Sequence, residues 1–307
     1  MKKYIRIMRI DHWIKQLFIL PGAGVSFLIA EMYIPSRLKL LVLPFISTCL
    51  IASANYVINE WLDAEFDRFH PSKKHRSVVE NDMKKSVVYG MYALLTLAGL
   101  AVGWLASFPV FICELWLWIM GIVYNVRPLR TKDVPILDVL SESLNNAIRF
   151  LIGWYAITNN YFPPSSIIIG YWFGGAFLMD VKRFSEYRMI GDKSTASRYR
   201  KSFAFYDERK LLCIACFYAM LSSFFTGVFL IKYRIEFILL VPLLVTLFCY
   251  YLYIAYREDS AAQAPEKLFK EKGLMIFVGL ILIAFALLLH FNIPVLHELL
   301  SYELREM

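Results

Sequence analysis

Leu38-Lys-Leu-Leu-Val-Leu-Pro-Phe-Ile-Ser-Thr-Cys-Leu-Ile-Ala-Ser-Ala-Asn55-Tyr-Val-Ile58 is an apolar run that passes without a break into Asn59-Glu-Trp-Leu-Asp63-Ala-Glu-Phe-Asp67. A helix needs about 20 mostly apolar residues to cross the hydrocarbon core of a bilayer, and this run supplies them. If the helix continues, Asn59, Asp63 and Asp67 recur at i, i+4 and i+8 and share one face. Acidic groups at a helix C-terminus oppose the macrodipole, so they call for a cation there rather than a merely solvated helix end. Two carboxylates and an amide are hard oxygen donors suited to Mg²⁺. The basic run His70-Pro-Ser-Lys73-Lys74-His-Arg76 follows at once, and its cations can hold phosphate. Together they predict a site that handles a diphosphate. Asn59, Asp63 and Asp67 are its expected metal ligands, Asp63 and Asp67 its catalytic pair, and Lys73 and Arg76 its substrate contacts.

Outward from this stretch the chain stays apolar. Its 307 residues are 59% hydrophobic with a mean hydropathy of +0.53, beyond the usual range of soluble domains. Apolar segments fall at 13–32, 38–58, 86–106, 108–126, 137–158, 164–181, 210–231, 234–256 and 271–291, with Ser107-Phe108-Pro109 alone separating the third from the fourth. The expected fold is all-α: a polytopic membrane bundle of about nine transmembrane helices around a central cavity, forming a single transmembrane domain over 1–307. The basic N-terminus lacks a small-residue cleavage site and reads as leading into a first membrane helix, not a removed signal.

Of the 33 lysines and arginines, 27 fall in segments on the N-terminal side of such a bundle and five on the opposite side. The positive-inside rule then predicts a cytoplasmic N-terminus and motif, with the C-terminus outside. The formal net charge of +8 is thus one basic membrane face, suited to anionic lipid or substrate, and not a nucleic-acid patch. All five cysteines lie in apolar runs. Cys213 and Cys216 form a CxxC with no second pair and no flanking histidine, which predicts helix packing rather than metal or redox chemistry.

Several groups are costly inside a bilayer. Asp138, Glu142, Asn145, Asn146 and Arg149 form a polar stripe on the 137–158 helix. Such residues face a bundle interior or a water-filled cavity. Either Glu142 and Arg149 satisfy each other and lock helices, or Arg149 and the asparagines line the polar end of a substrate cavity; Asn145 and Arg149 are taken as substrate-binding. Glu114 stands alone and predicts a structural role. The sixth segment ends in Asp180-Val-Lys182-Arg183-Phe-Ser-Glu186, and a shift of four helices relates this second motif to the first, so both should reach the same side. Lys182 and Glu186 are i, i+4 partners; Asp180 and Asp192 leave open a second cation.

These strings resemble the UbiA superfamily of intramembrane transferases. Its N-D-x-x-D-x-x-x-D motif is similar to Asn59-Glu60-Trp-Leu-Asp63-Ala-Glu-Phe-Asp67, with glutamate at the second position. Its R-P-x-x-W-x-K-N start is similar to Arg9-Ile-Asp-His-Trp13-Ile-Lys15-Gln16. Within it the chain looks closest to the decaprenyl-phosphate phosphoribosyltransferase branch. That branch has H-P-T-K-R-x-R after the first motif, V-L-D-V opening the fifth helix (here Ile136-Leu-Asp138-Val139), I-R further on (Ile148-Arg149), and K-R-x-x-E as second motif (Lys182-Arg183-Phe-Ser-Glu186). The later Arg198 and Tyr206 sit where it has R…Y. The resemblance implies Mg²⁺ as cofactor, a phosphorylated small-molecule donor (5-phosphoribosyl diphosphate) and a lipid-linked acceptor (a polyprenyl phosphate). It implies Lys15, Glu60, Lys182, Arg183 and Glu186 as further substrate contacts. The alternative is a prenyltransferase that moves an isoprenoid from its diphosphate to an aromatic or other small acceptor. A transporter is disfavoured, because the polar constellation lies at the membrane edge and no Gly/Pro helix breaks are paired at mid-depth.

Overall fold

The structure is a computed structural model that describes residues 2–29, 38–69, 73–257, 260–263, 268 and 270–300. His70, Pro71 and Ser72 of the basic run, and Arg37, Lys267 and Arg305 of the charge count, lie outside them. The described residues form helices and no strand. In order they are α1 (Lys2–Ile7), a 3-10 segment (Ile10–Ile19) running into α2 (Leu20–Ile29), α3 (Val42–Asp67), α4 (Ser77–Glu80), α5 (Lys85–Ala106), α6 (Phe108–Asn125), α7 (Leu137–Ile157), α8 (Ser165–Ile190), α9 (Lys193–Tyr199), α10 (Glu208–Tyr233), α11 (Leu240–Ala255), α12 (Lys272–Leu288) and α13 (Pro294–Leu299).

Six stretches among the described residues are long and apolar enough to cross a membrane: Lys3–Ile29, Leu38–Asp67, Lys85–Ala106, Phe108–Asn125, Glu208–Tyr233 and Ile235–Ala255. This makes the chain an integral membrane protein. The expected count of nine is not reached on these grounds. α7 and α8 carry too many polar groups, and α12 is shorter. The division between the third and fourth spans does fall at Ser107, whose extended backbone and hydroxyl, accepting from Val110 N, cap α6 with Pro109 in its first turn. Leu94, Leu97 and Leu105 on α5 are about 70% exposed (69%, 68% and 73%), as a face against lipid should be. Cys213, Cys216 and Cys249 are also exposed, so the CxxC does not pack between helices as expected. Cys49 and Cys113 do.

α3 packs against α5 and α6. α7 lies between α6 and α8 and also meets α2 and the 3-10 segment before it. α8 packs mainly on α10. The two largest apolar cores hold Ile51, Leu117, Ile148 and Ile152 around α3, α6 and α7, and Phe177, Phe184, Phe203, Leu211 and Tyr251 around α8, α10 and α11. Small residues allow the closest crossing. A Cβ on Gly22 would lie 1.8 Å from the carbonyl oxygen of Phe150, and one on Gly153 would lie 1.8 Å from that of Ile19. Backbone meets backbone at this crossing, as in other small-residue membrane interfaces, and neither side can yield by turning a side chain. Gly153→Ala should therefore destabilise the protein by about 1–3 kcal/mol. Thermal unfolding in detergent, with Gly90→Ala at an open position as control, measures it.

Polar side chains left over from the lipid faces pair across helices. Gln16 meets Arg149 on α7, Asn59 on α3 meets Asn125 on α6, Tyr124 on α6 meets Glu142 on α7, and Glu142 meets Arg183 on α8. Glu114, expected to be structural, is fully buried and accepts from Thr48 Oγ1 at 2.6 Å.

Candidate active site

α3 runs unbroken from Val42 to Asp67, so the i, i+4, i+8 face forms as the spacing requires. Asp63 Oδ1 accepts from Lys132 Nζ at 2.5 Å and Arg130 Nη2 at 2.9 Å. Its Oδ2 accepts from Asn59 Nδ2 at 3.2 Å. Asn125 Oδ1 accepts from Asn59 Nδ2 at 2.5 Å and from Lys132 Nζ at 2.8 Å. One turn on, Asp67 Oδ2 accepts from Arg76 Nη1 at 2.6 Å. Burial works against the Arg76 charge, yet Asp67 keeps its pKa above the ordinary value. Burial dominates at Lys132 and lowers it to about 8 despite Asp63. Asp63, Phe66, Asp67, Arg130, Lys132, Asp133, Tyr199 and Arg200 line a polar cavity of about 20 Å³, room for roughly one water.

The loop that supplies Arg130 and Lys132 is held under strain. Arg130 has φ 27° and Ile136 φ 70°, a region costly for non-glycine residues, above all β-branched ones. Arg130 is pinned by Asp63, by Asp133 Oδ2 at 3.1 Å and by the Asn125 carbonyl at 3.1 Å. Ile136 N donates to Tyr206 Oη at 2.6 Å, and Tyr206 donates to Asp138 Oδ1 at 2.7 Å.

The second motif joins this mouth through Lys73, whose ammonium lies 2.7 Å from Glu186 Oε1 and also contacts Tyr199. Arg183, 1% exposed, is spent on carboxylates: Asp138 Oδ2 at 3.4 Å, Glu186 Oε2 at 3.3 Å, and Glu142. Lys182 is half-buried and makes no hydrogen bond or ion pair to a described residue. The two open candidates for a second cation are accounted for differently. Asp192 is exposed and caps α9, accepting from Thr195 N at 2.8 Å and from the hydroxyls of Ser194 and Thr195, bonds that hold its pKa well below the usual carboxylate range. Asp180 is fully buried within electrostatic range of Tyr218 on α10 and of Asp138, and it does not line the Asp63 cavity.

The fit to Mg²⁺ rests on the donor set. Among the described residues no group of three or more His, Cys, Asp or Glu is arranged to hold a metal. Mg²⁺ is commonly held by one or two carboxylates plus substrate phosphates and waters, and Asp63 and Asp67, both on the cavity wall, match that pattern. As placed, Asn59 orients Asp63 through its amide nitrogen.

A profile of the UbiA prenyltransferase family matches residues 19–270. The chain belongs to the UbiA family. It is 28% identical over 218 residues to the decaprenyl-phosphate phosphoribosyltransferase of Mycolicibacterium smegmatis, covering 67% of this chain and 63% of that protein. To the enzyme of the same name from Corynebacterium glutamicum it is 25% identical over 215 residues, covering 66% and 59%. The match thus spans about six-tenths of these relatives' length. Among solved structures, a UbiA homologue from Archaeoglobus fulgidus bound to DMAPP and Mg²⁺ is similar with a TM-score of 0.69 at 22% identity, covering 94% of this chain and 100% of that one. That likeness concerns the fold.

Not every expected UbiA site residue converges on the mouth. Asn59, Asp63, Asp67, Lys73, Arg76 and Glu186 do, with Lys182 adjoining Glu186. Glu60 is 4% exposed and points toward α4, where its Oε1 is 3.4 Å from Val78 N. Lys15 Nζ lies 2.9 Å from His12 Nδ1. Arg149 donates to Gln16 Oε1 at 2.7 Å and Asn146 Oδ1 at 3.2 Å, while the buried Asn145 Oδ1 has no hydrogen-bond partner among the described residues. The sequence reading missed Asn125, Arg130, Lys132 and Arg200. An asparagine at a helix end followed by Arg127, Arg130 and Lys132 on the motif side was the available signal; these cations entered only the charge count.

Proposed function

We propose that this UbiA protein transfers 5-phosphoribose from 5-phosphoribosyl diphosphate to a polyprenyl phosphate, with the site at the cytoplasmic face, the N-terminus inside and the C-terminus outside. Asp63 and Asp67 would hold Mg²⁺, which supplies electrostatic stabilisation to the departing diphosphate. Asn59 and Asn125 orient Asp63. Lys73, Arg76, Lys132 and Arg200 hold donor phosphates, and Lys182 holds a donor or lipid phosphate. Arg183 positions Glu142 and Glu186. The acceptor's tail lies between apolar helices, and Asn145 and Arg149 line the deeper polar wall. An ionised phosphate needs no general base to attack C1, so the mouth requires no poised histidine.

The observation that carries this assignment over isoprenoid transfer is the second motif. It pairs Glu186 with Lys73 and sets the half-buried Lys182 one helical turn before that glutamate, while Asp180 is fully buried away from the Asp63 cavity and Asp192 caps α9. A second acidic pair would favour a second metal; cations favour a further phosphate. Purified protein should turn over labelled 5-phosphoribosyl diphosphate with a polyprenyl phosphate and leave prenyl diphosphates with an aromatic acceptor untouched. Turnover of the prenyl donor alone reverses the assignment.

A further inference from the structure

We propose that Lys132 is a built-in surrogate for the divalent ion: its ammonium occupies the metal's place on Asp63 until a metal arrives with diphosphate, and then swings to the phosphates. This rests on the metal role of Asp63 proposed above.

The ammonium is seated as a cation between two oxygens from different helices, Asp63 Oδ1 at 2.5 Å and Asn125 Oδ1 at 2.8 Å, with its side chain 5% exposed. Its neighbour Arg130 binds the same carboxylate oxygen but is anchored twice elsewhere, on Asp133 and on the Asn125 carbonyl. Asp63 is the only carboxylate with which Lys132 forms an ion pair among the described residues. A lysine is a point charge on a flexible four-carbon stem, whereas an arginine fork is held by its geometry. Of the two, Lys132 is the one free to leave. It has somewhere to go, because it lines the same cavity as Asp67, Tyr199 and Arg200. Asp63 Oδ1 already holds both Lys132 and Arg130, and a divalent ion added to the same oxygen would bring two further positive charges to contact distance, with strong repulsion. A lone metal must therefore displace the ammonium into a cavity whose other carboxylates, Asp67 and Asp133, are already paired with Arg76 and Arg130; a metal carrying diphosphate brings a fresh anion with it. Metal and diphosphate should then bind with positive coupling, and reciprocally.

The test is calorimetry of full-length protein in detergent, with Mn²⁺ as the metal and inorganic diphosphate as the anion, alongside a thermal melt of each variant. In the wild type, diphosphate should tighten Mn²⁺ binding about tenfold or more. In Lys132→Gln, Mn²⁺ alone should bind about tenfold tighter than to the wild type, because a charge-assisted competitor is gone, and diphosphate should tighten it by a smaller factor than in the wild type. Lys132→Met should agree, which guards against one variant folding poorly. Unchanged or weaker metal binding in both neutral variants overturns the surrogate role. Asp63→Asn separates the parent assignment: metal binding there equal to the wild type overturns the metal role of Asp63 itself.

Discussion

Asp63→Asn should lower the proposed phosphoribosyl transfer by about a thousandfold or more, the range seen when charge stabilisation is removed from a transferring group, while the protein remains folded. Asparagine keeps an acceptor oxygen on the α3 face. Lys132 retains Asn125 Oδ1, and Arg130 retains Asp133 and the Asn125 carbonyl, so the stability lost should stay within about 1–3 kcal/mol. What is lost outright is one of the two α3 carboxylates on the cavity wall. Labelled 5-phosphoribosyl diphosphate with a polyprenyl phosphate measures transfer, and a melt in the same detergent measures folding. Near-normal turnover in the folded variant removes the metal role from Asp63.

What the chain discloses by itself follows from what is local. The run from Leu38 to Ile58 and the four-residue spacing of Asn59, Asp63 and Asp67 are properties of one helix, and α3 realises both. The sixth segment was less legible. Its expected end at 181 is where charges begin, but α8 continues to Ile190, because Arg183 and Glu186 are compensated inside the bundle by groups from α7 and the Lys73 loop. Hydropathy cannot see a partner 113 residues away, the separation of Lys73 and Glu186. The same blindness hid Arg130 and Lys132, which meet Asp63 across 67 and 69 residues. Glu60 illustrates the converse. It belongs to the motif by sequence, but it is one residue off the Asn59 face, and about 100° of helix rotation points it at α4.

Arg183→Met should be the most destabilising of the substitutions considered, by about 3–5 kcal/mol, the range for removing one partner from a buried ionic network. Arg183 is 1% exposed and bridges α7 to its own helix α8 through Asp138, Glu142 and Glu186. Truncation leaves these carboxylates unequally served. Asp138 keeps Ser202 and Tyr206, and Glu186 keeps Lys73, but Glu142 keeps only the hydroxyl of Tyr124 among its hydrogen bonds to described residues. Glu142→Gln should therefore recover part of the loss when added to Arg183→Met, since an amide needs no counter-charge and can still accept from Tyr124. Arg183→Lys should fall between, because a single ammonium cannot reach three carboxylates as a guanidinium fork does. Melts of the three variants give the ordering. Donor binding by the same proteins separates this positioning role from the substrate contact that the Lys182-Arg183 string implied: if Arg183→Met melts like the wild type while donor affinity falls, Arg183 touches phosphate and the network is not what joins α7 to α8.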